Sequence, residues 1–240
     1  MPNRKVSRRG LLAGAVGIPL APAAIRGDMP WREGAADAPT LPRSGAGYLF
    51  FSSAEAAFIE AAVARLIPAD ELGPGAKEAG VAWFIDRQLA GRFGRGERWY
   101  MQGPWGPGLP TQGYQTRLSP AGVYRAAIRS IDGVVAREGR AGSFAKLQTA
   151  DQDAFLKRLE SGQVHLDGVE TKTFFDMLLQ NTIEGFWSDP IYGGNRGMVG
   201  WKLIGFPGAR YDHSAFVARH GERYPLPPVG LAGRPEWTRS

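Results

Sequence analysis

A chain of 240 residues with 43% hydrophobic content can bury one substantial core, and it is too apolar to be disordered throughout. It has no cysteine, which excludes disulfides, iron–sulfur clusters and covalently attached c-type haem, and its three histidines, His165, His213 and His220, lack the spacing of a helical zinc site. The net charge of +6 is concentrated at the start, where Arg4, Lys5, Arg8 and Arg9 stand among 23 residues without an acid, so the body has no clustered basic face and no nucleic-acid partner is expected.

The first 23 residues have the architecture of an export signal. A basic stretch precedes an apolar run from Leu11 to Leu20, and Ala21-Pro22-Ala23 suits cleavage. The run is too short to span a membrane. Within it, Ser7-Arg8-Arg9-Gly10-Leu11-Leu12 carries the arginine pair of a twin-arginine signal. The simpler alternative is an ordinary secretory signal or an uncleaved anchor. The twin-arginine route exports folded proteins, often with a cofactor already inserted. A cofactor-free chain bearing such a signal is expected to travel with a partner, into the periplasm. Residues 24–48, rich in Pro, Gly and Ala, read as an extended arm.

Helical periodicity then dominates. Ser52 followed by Glu55 predicts a capping box that opens a helix over 52–67, with Phe58, Ala61, Ala62 and Leu66 inward and Pro68 as its stop. A second helix is predicted over 76–92, burying Val81, Phe84, Ile85 and Leu89. Residues 94–118 are too rich in Gly and Pro for a helix. A loop of that length in a compact domain is usually functional or mobile. It carries Trp99, Tyr100, Trp105 and Tyr114, which suit either anchoring a partner or covering the core. Ser119-Pro120 caps a third helix over 120–138, with Val123, Ile128, Ile131 and Val135 inward. Thr149 with Gln152 predicts a further capping box and a helix to about Glu160, with Phe155, Leu156 and Leu159 inward. A long helix over 168–186 is expected to bury Phe174, Phe175, Met177, Leu178, Leu179 and Ile183, and a short one follows over 197–204. No segment alternates with a period of two, so little or no sheet is expected. The expected fold is all-α: an irregular domain of about five to six helices, with long Pro/Gly-rich loops and extended N- and C-terminal arms.

Three places invite a chemical reading. Gly193-Gly194-Asn195-Arg196-Gly197 could cradle a phosphate, but it matches neither nucleotide fingerprint and equally suits a tight turn at positive φ. Glu184 and Asp189 could act as an acid–base pair, although Asp189 before Pro190 also suits turn capping. Asp212, His213 and Ser214 are contiguous, an order that does not by itself assemble a hydrolytic triad. No catalytic, cofactor-binding or metal-binding residue is assigned.

The body of the chain resembles the gluconate 2-dehydrogenase subunit 3 family. The resemblance rests on Thr182-Ile183-Glu184-Gly185-Phe186 running into Ser188-Asp189-Pro190-Ile191-Tyr192-Gly193-Gly194-Asn195, and on Gly200-Trp201-Lys202-Leu203-Ile204-Gly205-Phe206-Pro207-Gly208. Phe51-Ser52-x-x-Glu55, Leu66-Ile67-Pro68-Ala69-Asp70 and Pro74-Gly75-Ala76 also match. It implies a non-catalytic small subunit of a membrane-bound, flavin-dependent sugar or sugar-acid dehydrogenase. The partners would be a flavoprotein large subunit of the glucose–methanol–choline type holding FAD, and a multihaem cytochrome c subunit holding haem c. The small subunit would support export, folding and assembly, and would meet the membrane only through the complex. The expected organisation is a signal at 1–23, an arm at 24–48, the helical domain at 49–208 and an extended arm at 209–240. Candidate interface residues are Trp99, Tyr100, Trp105, Tyr114, Trp187, Tyr192, Trp201 and Trp237, on aromatic-anchor grounds. The alternative is a stand-alone periplasmic sugar- or quinone-binding protein, or an enzyme using the 189–197 loop.

Overall fold

A computed structural model of the chain describes residues 47–233 apart from 107, 110, 140, 141 and 211. The signal with Arg8 and Arg9, most of the 24–48 arm and Trp237 lie outside the described residues. Within them the fold is all-α. Helix α1 is Ser53–Leu66, α2 Val81–Ala90, α3 Pro120–Arg137, α4 Thr149–Glu160, α5 Thr171–Trp187 and α6 Val199–Ile204. Short 3-10 turns stand at Phe144–Lys146, Pro190–Tyr192, Arg196–Met198 and Ser214–Phe216, and the bridges Asp70–Gly73 and Gly208–Val229 are isolated.

Helix α5 is the hub and touches all five other helices. Its inward face carries Phe174, Phe175 and Leu178, and Phe174 lies at the centre of an aromatic cluster. Ring centroids are 6.2 Å to Phe58 and 5.5 Å to Tyr124, both buried, and Phe58 stands 5.0 Å from Phe144. Burying a side chain of this size contributes about 1.5–3 kcal/mol, so these rings hold the helices together more than local propensity does. The Tyr124 hydroxyl accepts from Asn181 Nδ2 at 2.9 Å, and burial raises its pKa well above the usual tyrosine value.

The expected elements form, with differences at their edges. The Ser52–Glu55 capping box is present, and Ser119 Oγ accepts from Gly122 N–H with Pro120 in the first turn. The second helix starts five residues later than expected. Residues 76–80 are held as turns, with Ala76 N–H on Ile67 O and Gly80 left-handed at φ 75°. The Thr149 capping box does not form. Thr149 is already helical, Gln148 caps without a side-chain bond, and Gln152 Nε2 donates to Phe144 O at 3.3 Å. The turn at Phe144–Lys146 lies over the start of α4 and takes that amide.

Two inward assignments also change. Ile183 is 39% exposed, because Asn181 and Thr182 occupy the inward positions beside it. Each has a local partner: Asn181 bonds to Tyr124 as above, and Thr182 Oγ1 donates to Leu178 O at 2.7 Å. Asp86, on α2, is fully buried although no inward role was expected of it. Its carboxylate accepts from Leu49, Phe50 and Phe51 N–H at 2.8–2.9 Å and thereby ties the strand of chain before α1 to α2. Arg125 of α3 completes that junction, with ion-pairing to Glu55, a bond to Phe50 O at 2.6 Å and its guanidinium 4.2 Å from the Phe50 ring centroid.

The segment after Gly208 runs outward and returns. Ala209 N–H donates to Val229 O at 2.6 Å, Val229 is buried, and Leu231 N–H donates to Asp189 Oδ2 at 2.6 Å. Among the described residues no helix is long and apolar enough to cross a membrane.

Candidate partner interface

The 188–201 turn is built from buried polar contacts. Asp189 is buried, and its two oxygens accept from Ile191 N–H at 3.0 Å and Leu231 N–H at 2.6 Å. Asn195 is buried in a left-handed conformation at φ 45°. Its Nδ2 donates to Ser188 O and its Oδ1 accepts from Gly200 N–H, each at 2.9 Å. Gly193 and Gly197 stand at φ 97° and 61°, the backbone that the tight-turn reading requires. Gly194 serves otherwise: a Cβ there would sit inside the van der Waals radius of the Gly185 carbonyl oxygen. Gly185 in turn lies close to the Phe84 ring of α2, so the turn meets α5 backbone on backbone and the missing side chain at Gly185 admits that ring. The side chains of Asp189 and Asn195 are thus engaged in holding the turn. The Glu184–Asp189 pair is not assembled, since Asp189 is committed to main-chain donors while Glu184 faces outward.

Asp212 Oδ1 accepts from Ser214 N–H at 2.8 Å, which lowers its pKa and closes a turn. His213 packs against the Tyr224 ring at 5.8 Å, and exposed His165 lies 3.9 Å from Asp167. Among the described residues no three His, Asp or Glu side chains converge as metal ligands.

The aromatic candidates divide into three groups. Trp99 and Tyr114 meet at 4.5 Å, with Phe93 edge-on to Trp99 at 5.7 Å, and Tyr114 OH donates to Leu118 O at 2.6 Å. This pair is half-buried and stands between two clefts. One, of about 710 Å3, lies within the loop and is also lined by exposed Tyr100 and by Trp105. The other, of about 970 Å3, lies between the loop and the outer face of α5. Trp201 is buried, with Nε1 donating to Trp187 O at 2.7 Å. Trp201 is therefore a core residue of the α5–α6 junction, which it reaches because α6 turns back on the end of α5, and it offers no surface for a partner. Trp187 is half-buried and Tyr192 exposed.

Sequence reasoning passed over one surface. Leu203, Ile204 and Phe206, at the end of α6, are 48%, 63% and 43% exposed. The signal was present: Val199, Trp201, Leu203 and Ile204 leave a six-residue helix apolar on more than one side, and one side alone can face the core.

The sequence matches the family described as Gluconate 2-dehydrogenase subunit 3 over residues 53–208. The chain belongs to the gluconate 2-dehydrogenase subunit 3 family. That span runs from the first residue of α1 to the glycine that bridges to Val229, and so covers all six helices, the aromatic loop and the 188–201 turn. Comparison with curated proteins and with solved structures finds no significant match to either. As a member of this family the chain is a subunit of a dehydrogenase complex.

Proposed function

We propose that this chain is the non-catalytic small subunit of a periplasmic, membrane-associated, flavin-dependent sugar or sugar-acid dehydrogenase, and that it supports export, folding and assembly of the flavoprotein large subunit. The observation that carries the reading is the apolar surface at Leu203, Ile204 and Phe206, inside the family-matched region. Three large apolar side chains left in water within four residues suit a surface that a partner covers. The 188–201 turn supports it from the other side, since its polar side chains hold structure and leave the substrate chemistry to another subunit. FAD belongs to the large subunit and haem c to a cytochrome subunit; a chain without cysteine cannot form the thioether links of a c-type haem. Arg8 and Arg9 direct the assembled pair to the twin-arginine route, which delivers it to the periplasmic face of the membrane.

The test is co-expression with the large subunit. The flavoprotein reaches the periplasm with its flavin when this chain is present and stays in the cytoplasm when it is absent. Arg8→Lys with Arg9→Lys retains both proteins inside. Export of a flavin-loaded large subunit without this chain refutes the reading.

A further inference from the structure

Opposite the Trp99–Tyr114 wall, the larger cleft is bounded by the outer face of α5, and the charges there are unbalanced. Lys172 is the one cation among its lining residues and is neutralised on its own helix by Asp176, at 3.0 Å. Glu170 accepts only from Thr173 Oγ1 and Glu184 only from Gln180 Nε2, so neither carboxylate has a cationic partner among the described residues. A second observation points the same way. Asn181 is 3% exposed and lines the cleft; its Nδ2 is held by Tyr124 OH, and its Oδ1 has no hydrogen-bond partner among the described residues.

Several side-chain donors around the cleft already have partners of their own. Gln180 Nε2 is bound to Glu184, Gln115 Nε2 to Gln112 O and Tyr114 OH to Leu118 O. The groups that remain open include two carboxylates and an amide oxygen, beside the aromatic wall of Trp99 and Tyr114. Every one of these attracts a cation or a donor. Glu170 and Glu184 are fourteen positions apart on a helix, roughly 21 Å at 1.5 Å per residue. One side chain cannot reach both, whereas an extended segment of about six residues spans that length at 3.3 Å each.

We infer that this cleft receives an extended segment of the flavoprotein large subunit with a Lys or Arg near each end, one meeting Glu170 and the other Glu184, with Asn181 Oδ1 taking a donor between them. The inference rests on the small-subunit reading above and gives that reading a specific contact. The apolar surface at Leu203–Phe206 supplies contact area, and this cleft supplies register and charge selection.

The test uses the full chain and the large subunit, with affinity measured at low and high salt. Three forms are compared: wild type, E170Q/E184Q, and E71Q/E160Q, which removes two exposed acids outside the cleft. The cleft variant weakens binding roughly tenfold at ~50 mM NaCl and little at ~500 mM, because two solvent-facing ion pairs are lost and such pairs are screened by salt. The control variant binds as wild type does. Equal affinity of E170Q/E184Q and wild type at low salt overturns the assignment while the small-subunit reading stands. Equal weakening by the control also overturns it, by tracing the effect to net charge. Absence of any complex with the wild-type chain takes down both. Equilibrium dialysis with glucose and with gluconate is the remaining arm: neither is retained if the cleft is a peptide site, and retention that E170Q/E184Q abolishes overturns the assignment in favour of a sugar.

Discussion

Asp86 shows what a buried charge requires. It has no solvent contact, and its burial is tolerated because three backbone N–H groups point at the carboxyl oxygens, with Arg87 at 4.0 Å. Asp86→Ala leaves those three donors without their acceptor, the Phe51 N–H in a buried position, and the expected loss is about 2–4 kcal/mol, read from the urea midpoint. Asp86→Asn keeps one acceptor and turns an amide donor toward a backbone N–H, so a smaller loss is expected in the same measurement. The sequence placed Val81, Phe84, Ile85 and Leu89 in the core, yet offered nothing to mark Asp86. Its acceptor role depends on residues 49–51, more than thirty positions away, coming to lie on α2. Asn195 is a similar case: tolerance of positive φ was legible, but its double hold on Ser188 and Gly200 was not.

The first turns of α1 and α4 contrast local pattern with local environment. In α1, Ser52 N–H donates to Glu55 Oε2 at 2.8 Å and Ser52 Oγ accepts from Glu55 N–H. Ser52→Ala is expected to cost about 1 kcal/mol in a denaturation midpoint, whereas Thr149→Ala, at the box that does not form, should change stability by less than about 0.5 kcal/mol. Glu55 also sets a pH dependence. Burial works against its carboxylate, but the bonds from the Ser52 backbone and from Arg125 outweigh burial and lower its pKa below the ordinary 4.5. A depressed carboxylate contributes stability that is fully present above the unfolded value and is lost as pH falls through the folded one. Wild type should therefore exceed Glu55→Gln in thermal midpoint at neutral pH, and the gap should close only below about pH 4.5. A gap that is constant from neutral pH to strong acid would remove the charged form of Glu55 from the account.

At the scale of the whole molecule the body divides its surfaces between cohesion and contact. The segment after Gly208 returns to bury Val229 and to give Asp189 its second donor. Truncation after Gly208 is expected to cost about 2–3 kcal/mol, from one buried apolar side chain and one lost bond to a buried carboxylate, and to lower the thermal midpoint accordingly. Leu203 and Ile204 do the opposite. Both are exposed, so Leu203→Ser with Ile204→Ser should leave the midpoint nearly unchanged while weakening the complex with the large subunit, as followed by co-purification. A large fall in stability with binding intact would make that surface part of the core and not an interface.

The amino-acid pattern alone established the helices, the aromatic loop between α2 and α3, the tight turn at 193–197 and the family. Each of these is written in residues close together in the chain: caps, a 3.6-residue period, Gly and Pro punctuation, and contiguous motifs. Only the tertiary structure decided that Trp201 faces inward and Ile183 outward, that Asp189 serves the backbone, and that a cleft with two uncompensated carboxylates opens between residues 99–116 and α5. Burial and charge balance are properties of which distant segments meet, and α5 meets the loop across more than fifty intervening residues. Local periodicity sets which side of a helix is apolar. Whether a neighbour covers that side or leaves it to a partner depends on how the whole chain packs.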